Sequence, residues 1–144
     1  MQISEIMTPS VDLTDPTTKI EDAARKMRED DVGALPVGEN DRLVGMVTDR
    51  DIVVRGIAGD ASGAQTVQQV MSEGIYYCFE DEPVERAGEL MEEHQVHRLP
   101  VLNRDKRLVG VVALADLARS GAESEQAALR ALKGISEPSG QPRR

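Results

Sequence analysis

Residues 20–37 read IEDAARKMREDDVGALPV, and residues 84–101 read VERAGELMEEHQVHRLPV. The two stretches are the same segment written twice, 64 positions apart. Each is followed by a polar loop and then an LVG turn, LVGMVTDRDI at 43–52 and LVGVVALADL at 108–117. Met7 pairs with Met71, Met27 with Met91 and Pro36 with Pro100 at the same offset. One extra residue after Asp105 moves the later pairs, Gly45 with Gly110 and Asp51 with Asp116, to an offset of 65. A repeat this long with only two copies is no solenoid. It predicts two half-domains about a pseudo-two-fold axis, each needing the other to bury its apolar face. Two equivalent clefts are expected between them.

Working outward, each copy opens with a short polar-apolar turn ending in Met, ISEIMT at 3–8 and VQQVMS at 67–72. An extended segment follows, Val11 to Leu13 or Ile75 to Phe79. Then comes a helix. In the first copy Thr18 as N-cap with Glu21 three residues on is a capping box. In the second, Glu82 takes the cap, Pro83 the first helical position and Glu85 the third. Small and apolar residues at Ile20, Ala23, Ala24 and Met27, and at Val84, Ala87, Gly88 and Met91, form one narrow helical stripe. The helices are expected to end near Asp30 and His94. Strands follow at Ala34–Val37 and Leu43–Thr48, with an Asn-Asp turn between, and again at Arg98–Leu102 and Leu108–Ala113. A second, short helix runs from Asp49 to about Arg55 and from Leu114 to about Arg119.

The fold class is therefore α+β, two β-α-β-β-α units. Residues 1–63 hold the first repeat and a linker, the small polar stretch GIAGDASGAQ at 56–65. Residues 64–121 hold the second. Residues 122–144 hold a separate helix, about Glu123 to Lys133, with Ala127, Ala128, Leu132 and Ile135 to dock it, and a tail of disordered composition.

At 144 residues the chain suits one compact domain, long enough to bury roughly 70% of its extended-chain surface. Tyr76, Tyr77 and Phe79 are the only aromatic residues, so the core must be aliphatic. The net charge of −9 opposes nucleic acid and anionic membranes as partners at long range. It leaves room for a local phosphate pocket. The single cysteine, Cys78, excludes an intrachain disulfide and a cysteine-cluster metal site, and its apolar setting IYYCF reads as a buried strand thiol. No apolar run approaches the ~20 residues that span a bilayer, and no signal-peptide core is visible. A cytoplasmic protein is expected.

The chemistry centres on Gly45 to Asp51, G-M-V-T-D-R-D. A strand delivers Thr48 to the start of a helix, where free N–H groups and the dipole favour an anion. The Thr48 hydroxyl can meet a phosphate there. Asp51, one turn on, can accept two hydrogen bonds from a vicinal diol, as acidic residues do with ribose. The plain alternative is an N-cap and a first-turn acid, and spacing alone favours it. His94 and His97 form H-x-x-H, but no third ligand is placed by spacing, so a metal site is not expected.

The duplicated unit, the IMT and VMS segments, the two L-P-V strands and the G-h-h-T-x-x-D turn resemble a tandem CBS-domain pair, the regulatory Bateman module. The likeness runs from about Ile3 to Ala118. Within the family the chain is most similar to stand-alone bacterial pairs of the hypoxic-response type, through MREDDVGALPV, LVGMVTDRDIV, IYY and MEEHQVHRLPV. In such pairs the inter-repeat cleft commonly takes an adenosyl ligand: AMP, ADP, ATP, NAD or S-adenosylmethionine. The resemblance implies that Thr48 faces the phosphate and Asp51 the ribose. Asp116 keeps the acid in the second copy, but Ala113 stands where the hydroxyl should be. His97 and Arg98 replace Gly33 and Ala34 and resemble a phosphate-contacting pair; a salt bridge from Arg98 to Glu92, Glu93 or Asp116 is the alternative. Arg50 is a further basic candidate. Adenine would lie near Val11, Leu13, Leu35 and Pro36, with Ile75 and Leu99 in the other half.

These features imply a non-catalytic regulatory module, with no catalytic cofactor and no activated nucleophile, acting through differential affinity for two conformations. The family implies a homodimer about a two-fold axis and an unknown protein partner. The competing function is a stress-response scaffold with vestigial clefts.

Overall fold

A computed structural model describes residues 1–9, 12–40, 42–59, 65–72 and 75–137. The expected positions Val11 and Asp41, half of the inter-repeat linker (60–64) and the tail (138–144) lie outside the described residues. The chain forms two compact units, Met1–Val11 with Tyr76–Arg144, and Asp12–Ile75. The opening segment of each repeat thus packs into the unit built from the other repeat's body. Chain order alone, which divides the repeats near residue 63, does not show this.

The unit of residues 12–75 begins at Thr14, which bridges Val37 in parallel. Helix α1 (Ile20–Asp30) follows, then the antiparallel strands β2 (Ala34–Glu39) and β3 (Arg42–Thr48). A single turn, α2 (Asp49–Asp51), runs on into a π-helical stretch, Ile52–Ile57. A short helix α3 (Val67–Val70) then leads Ser72 to the outer side of β3, where it bridges Met46. Ile20, Ala23, Met27, Leu35, Val37, Val47, Ile52, Val67, Val70 and Met71 form the core.

The other unit repeats this plan. A 3-10 turn, Ile3–Glu5, leads to strand β1 (Thr8–Pro9). After the first repeat come β4 (Cys78–Phe79), α4 (Val84–His94), β5 (Arg98–Leu102), β6 (Leu108–Ala113), α5 (Leu114–Arg119) and α6 (Ala122–Ser136). The sheet order is β1-β6-β5-β4, antiparallel except for β4 on β5. Thr8 opposite Val111 corresponds to Ser72 opposite Met46. Both crossings demand a glycine. A Cβ on Gly45 would sit 2.6 Å from the Ser72 carbonyl oxygen, and one on Gly110 2.7 Å from that of Thr8.

The expected helix caps are corrected. Lys19 and Pro83, not Thr18 and Glu82, are the N-caps, and neither offers a side-chain bond. The opening segments supply backbone acceptors instead: Ile20 N–H donates to Gln65 O (3.1 Å), and Val84 N–H to Met1 O (3.1 Å). Glu82 turns its carboxylate to the Phe79 N–H at 2.7 Å. The C-terminal ends fall at Asp30 and His94 as expected, each closed by a left-handed residue, Asp31 and Gln95.

Strands β2, β3, β5 and β6 lie where the pattern put them. Among the described residues the extended segments are shorter, with regular pairing at Cys78–Phe79 and the Thr14 bridge alone in the first copy. Ala24, expected on the buried stripe, is exposed, whereas its counterpart Gly88 is buried. The difference is α6. It lies on α4 and α5 of its own unit through Ala127, Ala128, Ala131 and Ile135. The Gln95 side chain donates to Gly134 O (2.9 Å) and Glu137 O (3.1 Å), closing the C-terminal end of α6. Among the described residues no helix is long and apolar enough to cross a membrane.

Candidate functional site

Strand β3 ends at Thr48, whose extended backbone makes it the N-cap of α2. The two side chains of the turn answer each other. Thr48 Oγ1 accepts from the Asp51 N–H, and Asp51 Oδ2 accepts from the Thr48 N–H, both at 3.0 Å. Asp51 is only 3% exposed. A buried carboxylate needs hydrogen bonds to offset its desolvation, yet the turn uses one of its two oxygens. Among the described residues Oδ1 has no partner. Thr48, having accepted one bond at its oxygen, keeps its O–H to donate. The capping box therefore leaves one unused acceptor and one unused donor.

The free N–H groups expected at this helix start are not free. Asp49 N–H donates to Gly33 O at 3.0 Å, Arg50 N–H to the Asp49 carboxylate at 2.8 Å, and Asp51 N–H to Thr48. An anion here would have to be met by the Thr48 hydroxyl and the exposed Arg50 side chain, which forms no ion pair among the described residues.

The second copy keeps the backbone and changes the chemistry. Asp116 Oδ2 accepts from the Ala113 N–H at 2.8 Å, reproducing half of the box. Ala113 has no hydroxyl to complete it. Asp116 Oδ1 accepts from Arg119 Nη2 at 3.1 Å. Sequence reasoning missed Arg119; its signals were the Asp-x-x-Arg spacing on one helix face and the contrast with Val54 at the same place in the first copy. The Leu114 N–H donates to His97 O at 2.8 Å, as Asp49 does to Gly33.

The fold thus gathers the six candidates into two sets, Thr48, Arg50 and Asp51 in one unit and His97, Arg98 and Asp116 in the other. Arg98 lies opposite Ala113 in the β5–β6 ladder, so His97 and Arg98 stand beside the second turn. Both are exposed. Among the described residues the salt bridges offered as the alternative for Arg98 are not formed: Glu92 pairs with Arg130, Glu93 lies against His94, and Asp116 pairs with Arg119. His94 stacks on Tyr76 with ring centroids 3.6 Å apart. Among the described residues no three His, Cys, Asp or Glu side chains cluster closely enough to hold a metal.

Of the expected adenine-side residues, Leu35, Pro36 and Leu99 are buried in their strands, and Leu13 and Ile75 are half-buried. Leu13 packs over Gly38, where an added Cβ would clash with its side chain.

The sequence profile of the CBS domain matches residues 3–56 and 67–123. Hypoxic response protein 1 of Mycobacterium tuberculosis is 44% identical over 118 residues, covering 81% of this chain and 80% of that protein. The CBS domain-containing protein YhcV of Bacillus subtilis is 40% identical over 125 residues, covering 87% and 89%. Among solved structures, Hypoxic Response Protein I with two coordinated zinc ions superposes with a TM-score of 0.75 at 40% identity, covering 85% of this chain and 100% of that one. The CBS pair of MJ0100 in complex with 5-methylthioadenosine and S-adenosyl-L-methionine gives 0.71 at 25% identity, covering 83% and 94%. CBSX2 in complex with AMP gives 0.70 at 26%, covering 90% and 96%.

Proposed function

Since the chain belongs to the CBS-domain family, as a tandem pair of the regulatory type, we propose that it is a non-catalytic sensor of an adenosyl ligand. The ligand is held at the Thr48–Asp51 turn. One observation carries this reading: the Asp51 carboxylate, on a residue only 3% exposed, has a second oxygen with no partner among the described residues, and it stands beside a hydroxyl with its proton to give. A ribose hydroxyl donates and a phosphate oxygen accepts, which is the reverse set. Arg50 adds a charge-assisted contact to the phosphate. The adenosyl ligands of the MJ0100 and CBSX2 pairs support the choice of ligand class. Binding shifts the balance between two conformations, and the response passes to a protein partner or through a homodimer of the chain.

Isothermal calorimetry against AMP, ADP, ATP, NAD and S-adenosylmethionine tests the reading. Saturable binding is expected for at least one of them. Asp51→Ala should weaken it by about 1.5–3 kcal/mol, the worth of hydrogen bonds to a charged group. Absence of heat and of any thermal shift at millimolar ligand would favour a scaffold in place of a sensor.

A further inference from the structure

The two copies of the turn differ in who holds the acid. In the first, Asp51 Oδ2 is bonded to the Thr48 N–H and Oδ1 is left over. In the second, Ala113 N–H takes Asp116 Oδ2 at 2.8 Å and Arg119 takes Oδ1 at 3.1 Å. The carboxylate is sheltered, with 11% of its side chain exposed, while the guanidinium reaches in from solvent with 74% exposed. The arginine therefore presents N–H donors where a ribose would present O–H donors. It is tethered one turn away on the same helix, so it competes at high effective concentration. Where Arg119 stands, the first copy has Val54, which has nothing to donate.

We infer that Arg119 is a specificity-determining residue that closes the second turn to a ribose diol, so that the chain takes one adenosyl ligand, in its first repeat. The inference rests on the reading of Thr48 and Asp51 above. Two changes separate the turns, the missing hydroxyl at Ala113 and the added guanidinium at Arg119, and they act differently. The first removes an anchor for phosphate. The second occupies the anchor for ribose. Restoring the hydroxyl alone would leave the acid engaged.

The test is calorimetric stoichiometry with AMP and S-adenosylmethionine on four proteins: wild type, Ala113→Thr, Arg119→Val, and the double variant. Thr and Val are the residues that the first repeat carries at these places, where the buried Asp51 stands with no arginine on its second oxygen, so the fold tolerates an acid held this way. Arg119→Ala serves if Val at this position unfolds the helix. Wild type and Ala113→Thr should bind one ligand per chain. The double variant should bind two, the second within about tenfold of the first, a gap of roughly 1.4 kcal/mol. Arg119→Val alone should show a weaker second event. Where wild type binds one ligand, two on Ala113→Thr, or still one on the double variant, would overturn the role of Arg119 while leaving the first site standing. A wild type that binds nothing beside a double variant that binds one would keep Arg119 as the gate and sink the reading of Asp51. Silence from all four proteins would sink both.

Discussion

Thr14 and Cys78 hold the same place in the two repeats, 64 residues apart, and each bridges the strand beside it, at Val37 and Val101. Both are buried. The thiol suits the place: burial pushes its pKa up to about 12, so it stays protonated and unreactive. The hydroxyl does not. Among the described residues, Thr14 Oγ1 is the buried side-chain polar atom without a hydrogen-bond partner. Leaving such a group unpaired costs about 1–3 kcal/mol. Thr14→Val keeps the shape and removes the donor, so it should raise stability by about 1 kcal/mol in urea denaturation followed by circular dichroism. A loss of stability would show that the hydroxyl has a partner in solution. At this scale the sequence was partly legible. The Thr48-x-x-Asp51 spacing favoured an N-cap and a first-turn acid, and the two residues take those places; that their side chains answer each other was not read from it. The occupied N–H groups were not legible, because Gly33 is distant in sequence and the bond from Arg50 N–H to Asp49 depends on a rotamer.

At the scale of elements, one glycine separates the two long helices. Ala24 and Gly88 are equivalent, but a Cβ on Gly88 would sit 2.8 Å from the Ala127 carbonyl oxygen of α6. The backbone of α6 cannot yield as a flexible side chain would. Gly88→Ala should therefore lower stability by about 1–3 kcal/mol, the range for overpacking a tight contact. The measurement is thermal unfolding against wild type. An unchanged midpoint would mean that α6 does not bear on α4 in solution. The Arg130–Glu92 ion pair is exposed on the same seam and adds little by comparison. The stripe at Val84, Ala87, Gly88 and Met91 and the helix ends were legible from periodicity. The N-caps were not, because Gln65 and Met1 cap these helices through backbone carbonyls, and a main-chain acceptor leaves no residue signature.

At the scale of the molecule, repetition predicted two like units, and the β2–β3 and β5–β6 hairpins with their helices repeat as expected. The traded opening segments were invisible in the sequence. ISEIMT and VQQVMS resemble each other, so similarity cannot say which body each joins. Ile3 is fully buried in the core of the 76–137 unit, with Cys78, Val84 and Leu117. Ile3→Ala should cost about 2–5 kcal/mol, and hydrogen exchange should quicken in residues 76–137 more than in 12–75. Equal loosening of both units would contradict the partition.

That trade fixes a timetable for synthesis. Residues 12–75 form one continuous run, so this unit has all its strands as soon as Ser72 clears the ribosome. Thr8 and Pro9, made before it, must wait unpaired until Val111 and Gly110 are translated. A strand made before the whole of the 12–75 unit thus finds its place only after that unit is complete, and the late-forming unit carries the long-range pairings that slow folding.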